Sequence, residues 1–118
     1  MSDRIGTVRA VSFSPTGSTR RVLRSIAAGI GAARVQEDSL DRPAWREAGV
    51  QVGADELLLV GMPVYAGRVP GLFHGGLPVR GTGDAVCVVC YGNRAYEDAL
   101  SELVGLTRRA GFRVIAAG

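Results

Sequence analysis

Six consecutive residues, Ser14-Pro15-Thr16-Gly17-Ser18-Thr19, set four short hydroxyl side chains around one glycine. Short hydroxyls and exposed backbone N–H groups at the start of a helix are the ingredients of an anion site, because both can donate to an anion that the positive end of the helix dipole attracts. Gly17 permits the tight turn, and Ser14, Thr16, Ser18 and Thr19 can donate to phosphate oxygens. Neutral donors suit a phosphate that is held and never transferred. A phosphoryl-transfer loop would add a lysine and a metal-binding group, and this stretch has neither. The plainer alternative is an ordinary turn followed by a helix capped by Ser18.

Two other groups could do chemistry. Cys87 and Cys90 spell C-x-x-C, which at a helix start or in a turn would suggest a redox dithiol or half of a zinc site. They fall inside Ala85–Tyr91, an apolar run that reads as a buried strand, where residues three apart point to opposite faces. Both are therefore expected to be small core residues, and no metal site is expected. His74, beside Gly75 and Gly76, has no nucleophile or carboxylate at triad-like placement and is read as structural. No catalytic residue is assigned.

The elements that must position these groups follow from hydropathy. Residues 7–13 read as a strand leading into the hydroxyl loop. From Ser18 to Ile30, Val22, Leu23, Ile26, Ala27 and Ile30 form one apolar helical face, opposite Arg20, Arg21, Arg24 and Ser25. A weak strand follows near residues 33–36. Residues 38–53, with Pro43 and the only tryptophan, Trp45, read as loop with at most a short helix. The continuous apolar run at 56–61 predicts a central strand buried on both faces. Residues 62–83 are mostly loop, with room for a short helix near 70–74. A strand over 84–91, a helix from about 92 to 110 and a last strand over 112–116 complete the chain. Glu97, Asp98 and Glu102 near that helix's start, and Arg108 and Arg109 in its last turn, match the helix dipole.

Alternation of apolar strands with helices predicts an α/β domain with a parallel sheet covered on both faces. At 118 residues the chain is one domain, with no repeat or linker. In such sheets ligands bind beyond the carboxyl ends of the strands, so the loops after the first, third and fourth long strands are the places to look. Competing motifs fail there. Gly81-Thr82-Gly83 precedes a strand rather than following one, the wrong order for a dinucleotide fingerprint. A Cys-x5-Arg phosphatase loop finds Asn93 and Tyr96 where arginine is needed. A receiver domain would need acidic residues where Ser12, Phe13, Val60 and Gly61 stand.

The net charge is +3, and arginine supplies all fourteen basic residues. That excess favours an anionic ligand or an acidic partner. Scattered arginines with few aromatics do not form a nucleic-acid signature. No apolar run reaches the ~20 residues of a membrane helix, and Met-Ser-Asp-Arg lacks the apolar stretch of a signal peptide. A cytoplasmic location without membrane contact is the expectation.

The hydroxyl loop matches the flavodoxin phosphate pattern Ser/Thr-x-Thr-Gly-x-Thr at every fixed position. Gly61–Pro70 and Tyr91–Asp98 resemble the two flavin-flanking loops of flavodoxin-like proteins, in particular the subgroup whose flavodoxin domain precedes a ferredoxin-type iron–sulfur domain. The resemblance covers about residues 7–117 and implies a doubly wound flavodoxin-like sandwich of strand order 2-1-3-4-5. Against that pattern the expectation is a domain without the family's last helix beyond Gly118; the alternative is a chain truncated there. The resemblance implies FMN as cofactor. Ser14, Pro15, Thr16, Gly17, Ser18 and Thr19 would hold its phosphate. Pro63, Val64, Tyr65, Ala66 and Gly67 would line one side of the isoalloxazine ring, with Ala66-Gly67 as the flexible peptide near its N5. Tyr91, Gly92, Asn93, Arg94 and Tyr96 would form the other wall, and Arg94 at the pyrimidine edge would raise the flavin potential.

Electron-carrier flavodoxins are typically acidic, whereas this chain is basic, so a different partner set is expected. No C-x2-C-x2-C pattern is present; a ferredoxin-type partner would be another chain. Without the last helix, Val86, Val88, Val114 and Ile115 are expected to form a bare apolar face open to a partner or a homodimer. Three functions stay open: electron exchange with a protein partner, FMN-dependent reduction of quinones or other small molecules, and a non-catalytic phosphate-binding or dimerisation module.

Overall fold

A computed structural model describes residues 6–65, 68–90 and 97–118, the side chain of Glu97 excepted. Ala66, Gly67 and Tyr91–Tyr96 lie outside the described residues.

The central sheet has five parallel strands: β1 (Thr7–Ser12), β2 (Arg34–Ser39), β4 (Leu57–Pro63), β6 (Asp84–Cys90) and β7 (Arg113–Ala117). Between them run α1 (Ser18–Ile30), α2 (Pro43–Ala48) and α3 (Glu97–Arg109). Two strands of two residues each, β3 (Val50–Gln51) and β5 (Val79–Arg80), pair with each other in a separate sheet. A single 3-10 turn at Gly71–Phe73 lies in the long segment between β4 and β5.

The strand order differs from the expected 2-1-3-4-5: it is β2-β1-β4-β6-β7. Two-residue strands carry too little hydropathic pattern to be read from sequence, and β3 and β5 are inserted ahead of β4 and β6. The expected α/β architecture with a parallel central sheet is present.

Alternation along the strands divides the core. Val8, Ala10, Leu57, Leu59 and Val88 pack under α1 with Leu23 and Ala27. Val11, Phe13, Leu58, Val60, Met62, Cys87 and Val89 face the larger cluster, which includes Ala99, Leu103 and Leu106 of α3. There Phe13 meets Phe73 edge to face, ring centroids 5.3 Å apart. Cys87 and Cys90 fall on opposite faces, as the strand reading requires, and both are free. Burial pushes the Cys87 thiol pKa up, and its Sγ donates to Thr107 Oγ1 at 3.3 Å.

Two expectations need correction. Val22 is exposed rather than on the buried face of α1, which presents Thr19, Leu23 and Ala27 to the sheet. Val86, Val88, Val114 and Ile115 do not form one bare face. Val88 is buried and Val86 partly buried on the α1 side, Val114 packs on the α3 side, and Ile115 alone is exposed. A register shift between Ala85 and Val86 puts Val114 and Ala116 opposite them and leaves Ile115 without a partner in the ladder. Arg9 is partly buried, its side chain 13% exposed. It points to the α3 side of β1, where it bonds Asp38 at 2.9 Å and Gln51 O at 3.1 Å and meets Glu56 at 3.4 Å.

Candidate functional site

Strands β1, β4 and β6 end side by side. Ser12 pairs with Gly61, and Pro63 pairs with Cys90. The chain beyond these ends forms a cleft of about 380 Å³ lined by Ser14, Pro15, Thr16, Ser18, Thr19, Pro63, Val64, Tyr65 and Cys90. Two stretches about fifty residues apart in sequence, one singled out for its residue types and one by the resemblance, thus share one concavity at the carboxyl edge of the sheet.

The first wall is built largely from its own residues. Gly17 N–H donates to Ser14 O at 2.9 Å, closing a turn, and Gly17 adopts φ 86°, a left-handed conformation that favours glycine. Gly17 is the capping position just before α1, and no side chain caps the helix from there, so the expected alternative of a Ser18 cap does not hold. Ser14 does the work from outside: its Oγ accepts the Arg20 N–H at 3.1 Å, satisfying one orphan donor of the first turn. Its hydroxyl hydrogen remains available to a ligand. Thr16 Oγ1 lies 3.4 Å from Ser18 Oγ, so these hydroxyls converge.

Close packing of α1 on the sheet needs a glycine at a second point. A Cβ on Gly61 would stand 2.8 Å from Leu23 Cδ2 and 3.1 Å from Thr19 Cγ2. Gly61 thus lets the first turns of α1, and the loop before them, come down onto β4.

Two residues at this wall are not apparent from the motif. Asp41, just after β2, accepts the Ser14 N–H at 2.6 Å and ties the loop to the neighbouring strand end. Arg20 places its Nη2 3.4 Å from where a Cβ on Gly17 would be, bringing a guanidinium to a loop whose own donors are all neutral. The i, i+3 spacing of Gly17 and Arg20 is a signal that could have found the second. Nothing local marks Asp41.

The second wall is the loop after β4. Val64 N–H donates to Cys90 O at 3.0 Å, joining the loop to the end of β6. Tyr65 N–H donates to Arg68 O at 2.8 Å and Arg68 N–H to Tyr65 O at 2.9 Å, a closed pair flanking Ala66 and Gly67. Tyr65 is 49% exposed, leaving a ring available at the cleft mouth. Cys90, expected in the core, is instead partly exposed and lines the cleft. The expected third element, Tyr91, Gly92, Asn93, Arg94 and Tyr96, lies outside the described residues, as do Ala66 and Gly67.

Glu102 of α3 anchors this second wall. Its Oε1 accepts Arg68 Nε at 2.7 Å and the Val69 N–H at 3.1 Å, and its Oε2 accepts Arg68 Nη2 at 2.5 Å. The Arg68 guanidinium holds the Glu102 carboxyl below its ordinary pKa, and the Arg68 pKa is raised in turn. His74 Nε2 lies 2.9 Å from Val69 O, which accounts for the lone histidine structurally.

A larger concavity of about 510 Å³ lies between α2 and the 72–80 segment, lined by Arg46, Arg80, Leu72 and Phe73 among others. Arg46 there donates to the carbonyls of Leu40 and Asp41, and no hydroxyls converge on it. Among the described residues no group of histidine, cysteine and carboxylate side chains could hold a metal ion, and no helix is long and apolar enough to cross a membrane. Comparison with protein-family models, with curated proteins and with solved structures finds no match to this chain.

Proposed function

We propose that this chain is a flavodoxin-like domain that binds FMN in the cleft at the carboxyl edge of its sheet and exchanges electrons with a protein partner. The observation that carries the reading is the joint lining of one cleft by the Ser14–Thr19 loop and by Pro63, Val64 and Tyr65. An anion-binding loop alone would fit many ligands. An anion-binding loop next to a flat apolar and aromatic wall fits a phosphate joined to a planar ring.

The residues present suit such a ligand. Ser14, Thr16, Ser18 and Thr19 would hold the phosphate beside the α1 N-terminus, with the Arg20 guanidinium adding positive charge. Pro63, Val64 and Tyr65 would pack against the ring, and Tyr91–Tyr96, carried from the family resemblance, would complete its other side. FMN when bound supplies one- or two-electron transfer. The chain's own part is to grip the ring, exclude water from its buried side and leave one edge at the surface. Exposed Tyr65 rims that opening, and with the chain's net charge of +3 a partner with acidic groups around its redox centre is the best match.

The visible absorption spectrum of the purified full chain, before and after addition of FMN, tests this reading. A yellow protein, or a colourless one that takes up FMN and binds riboflavin more weakly, is expected. A colourless chain that takes up neither flavin overturns it.

A further inference from the structure

The loop after β4 is held from a distance. Arg68 presents Nε and Nη2 to the two oxygens of Glu102, a side-on fork geometry that fixes direction as well as distance. The neighbouring Val69 N–H reaches the same carboxylate, and the Val69 carbonyl meets His74 Nε2. The Val69 side chain is 1% exposed. Arg68 is also the residue whose backbone N–H and C=O both pair with Tyr65. A single continuous set of bonds therefore runs from α3 through Arg68 to the aromatic residue at the cleft.

We propose that Glu102 is a positioning residue for the cleft: by clamping Arg68 and Val69 it fixes the wall formed by Val64 and Tyr65, and so sets affinity for the ring portion of the ligand without acting on the phosphate portion. The proposal rests on the reading that the cleft binds FMN. Glu102 does not line the cleft and touches no part of the phosphate loop, so its influence passes through the loop it anchors. The clamp joins residues 34 apart in sequence, and without it the two polar groups of the Arg68 guanidinium and the Val69 N–H would have to be met by water.

The test compares the full-length protein with Glu102→Ala, which removes every acceptor oxygen, and Glu102→Gln, which keeps the length and one acceptor for the Val69 N–H. Amide hydrogen exchange is measured without flavin, and dissociation constants for FMN and riboflavin are measured by flavin fluorescence. In Glu102→Ala, exchange at Tyr65, Arg68 and Val69 is expected to accelerate while the amides of residues 14–19 keep their rates. FMN and riboflavin should both weaken by about tenfold, a change that converts to about 1.4 kcal/mol each, and Glu102→Gln should fall between. Arg68→Gln should reproduce the loss from the other side of the pair. Unchanged exchange in Glu102→Ala overturns the clamp. Accelerated exchange with unchanged affinity for both flavins, or loss confined to FMN, overturns the positioning role. If the unaltered protein binds neither flavin, the FMN reading fails and the positioning role falls with it, while the exchange data still decide whether Glu102 holds the loop.

Discussion

The two described walls of the cleft are built in different ways. The Ser14–Thr19 wall is a local structure: Gly17 N–H on Ser14 O and Arg20 N–H on Ser14 Oγ close it within a span of seven residues, and among the described residues only Asp41 hydrogen-bonds it from afar. The second wall has one local closure, the backbone pair of Tyr65 and Arg68, but is anchored by distant elements, with Cys90 holding Val64 and Glu102 holding Arg68 and Val69. A wall of the first kind survives as long as β1 and α1 pack together. One of the second kind can be loosened by a change in another helix while the sheet stays intact. The contrast fits a ligand with two parts, an anion held by a local motif and a ring held by a wall anchored from distant elements.

The largest effect is expected where one residue supports the packing beneath the cleft. Gly61→Val puts side-chain atoms where Leu23 and Thr19 already lie, and overpacking of this kind costs about 1–3 kcal/mol. Urea denaturation followed by circular dichroism should show it, together with weaker binding of both FMN and riboflavin, because α1 can no longer seat on β4. Wild-type stability would mean that α1 shifts freely and that the local wall is not rigid.

Ser14→Ala is the sharper test of the local wall. It removes the acceptor for the Arg20 N–H and should cost about 1 kcal/mol of stability, as loss of a helix-capping oxygen does. Because Ser14 belongs to the loop proposed to hold the phosphate, FMN should weaken and riboflavin should not. Equal losses for both flavins would erase the distinction between the walls.

The smallest effect is in pH. Arg68 holds the folded-state pKa of Glu102 below its ordinary value. The stability that Glu102 contributes is therefore fully present above the ordinary carboxylate range and is lost as pH falls through the lowered value. Arg68 and His74 face the carboxylate, and Asp98 acts on Arg68. The stability difference between the unaltered protein and Glu102→Gln should thus hold steady at neutral pH and shrink below about pH 4. A difference that does not change on acidification would show that the pair contributes through shape and not charge.

How much was legible in advance follows the same division. β1, α1, β6 and the body of α3 stand where hydropathy placed them, since each has a long, regular pattern. β3 and β5 were not legible, and with them the count of strands, because two residues carry no periodicity. β2 extends to Ser39, beyond the weak strand expected near 33–36; apart from Val35 its residues are polar, and most of the strand is exposed at the sheet edge, so no apolar alternation announces it. Cys90 looked like core because its neighbours are apolar, yet it is the last residue of its strand and faces the cleft.

The sequence by itself determined the parallel α/β layering and the hydroxyl loop at the head of α1, because both are written in residues close together along the chain. Only the tertiary structure decided that this loop and the Pro63–Tyr65 stretch share one cleft, that Asp41 and Arg20 attend the loop, and that Glu102 holds the opposite wall. Those relations depend on which strand ends lie side by side and on which helix crosses above them. No spacing along the chain records them, because the side chains concerned meet only after the sheet has formed.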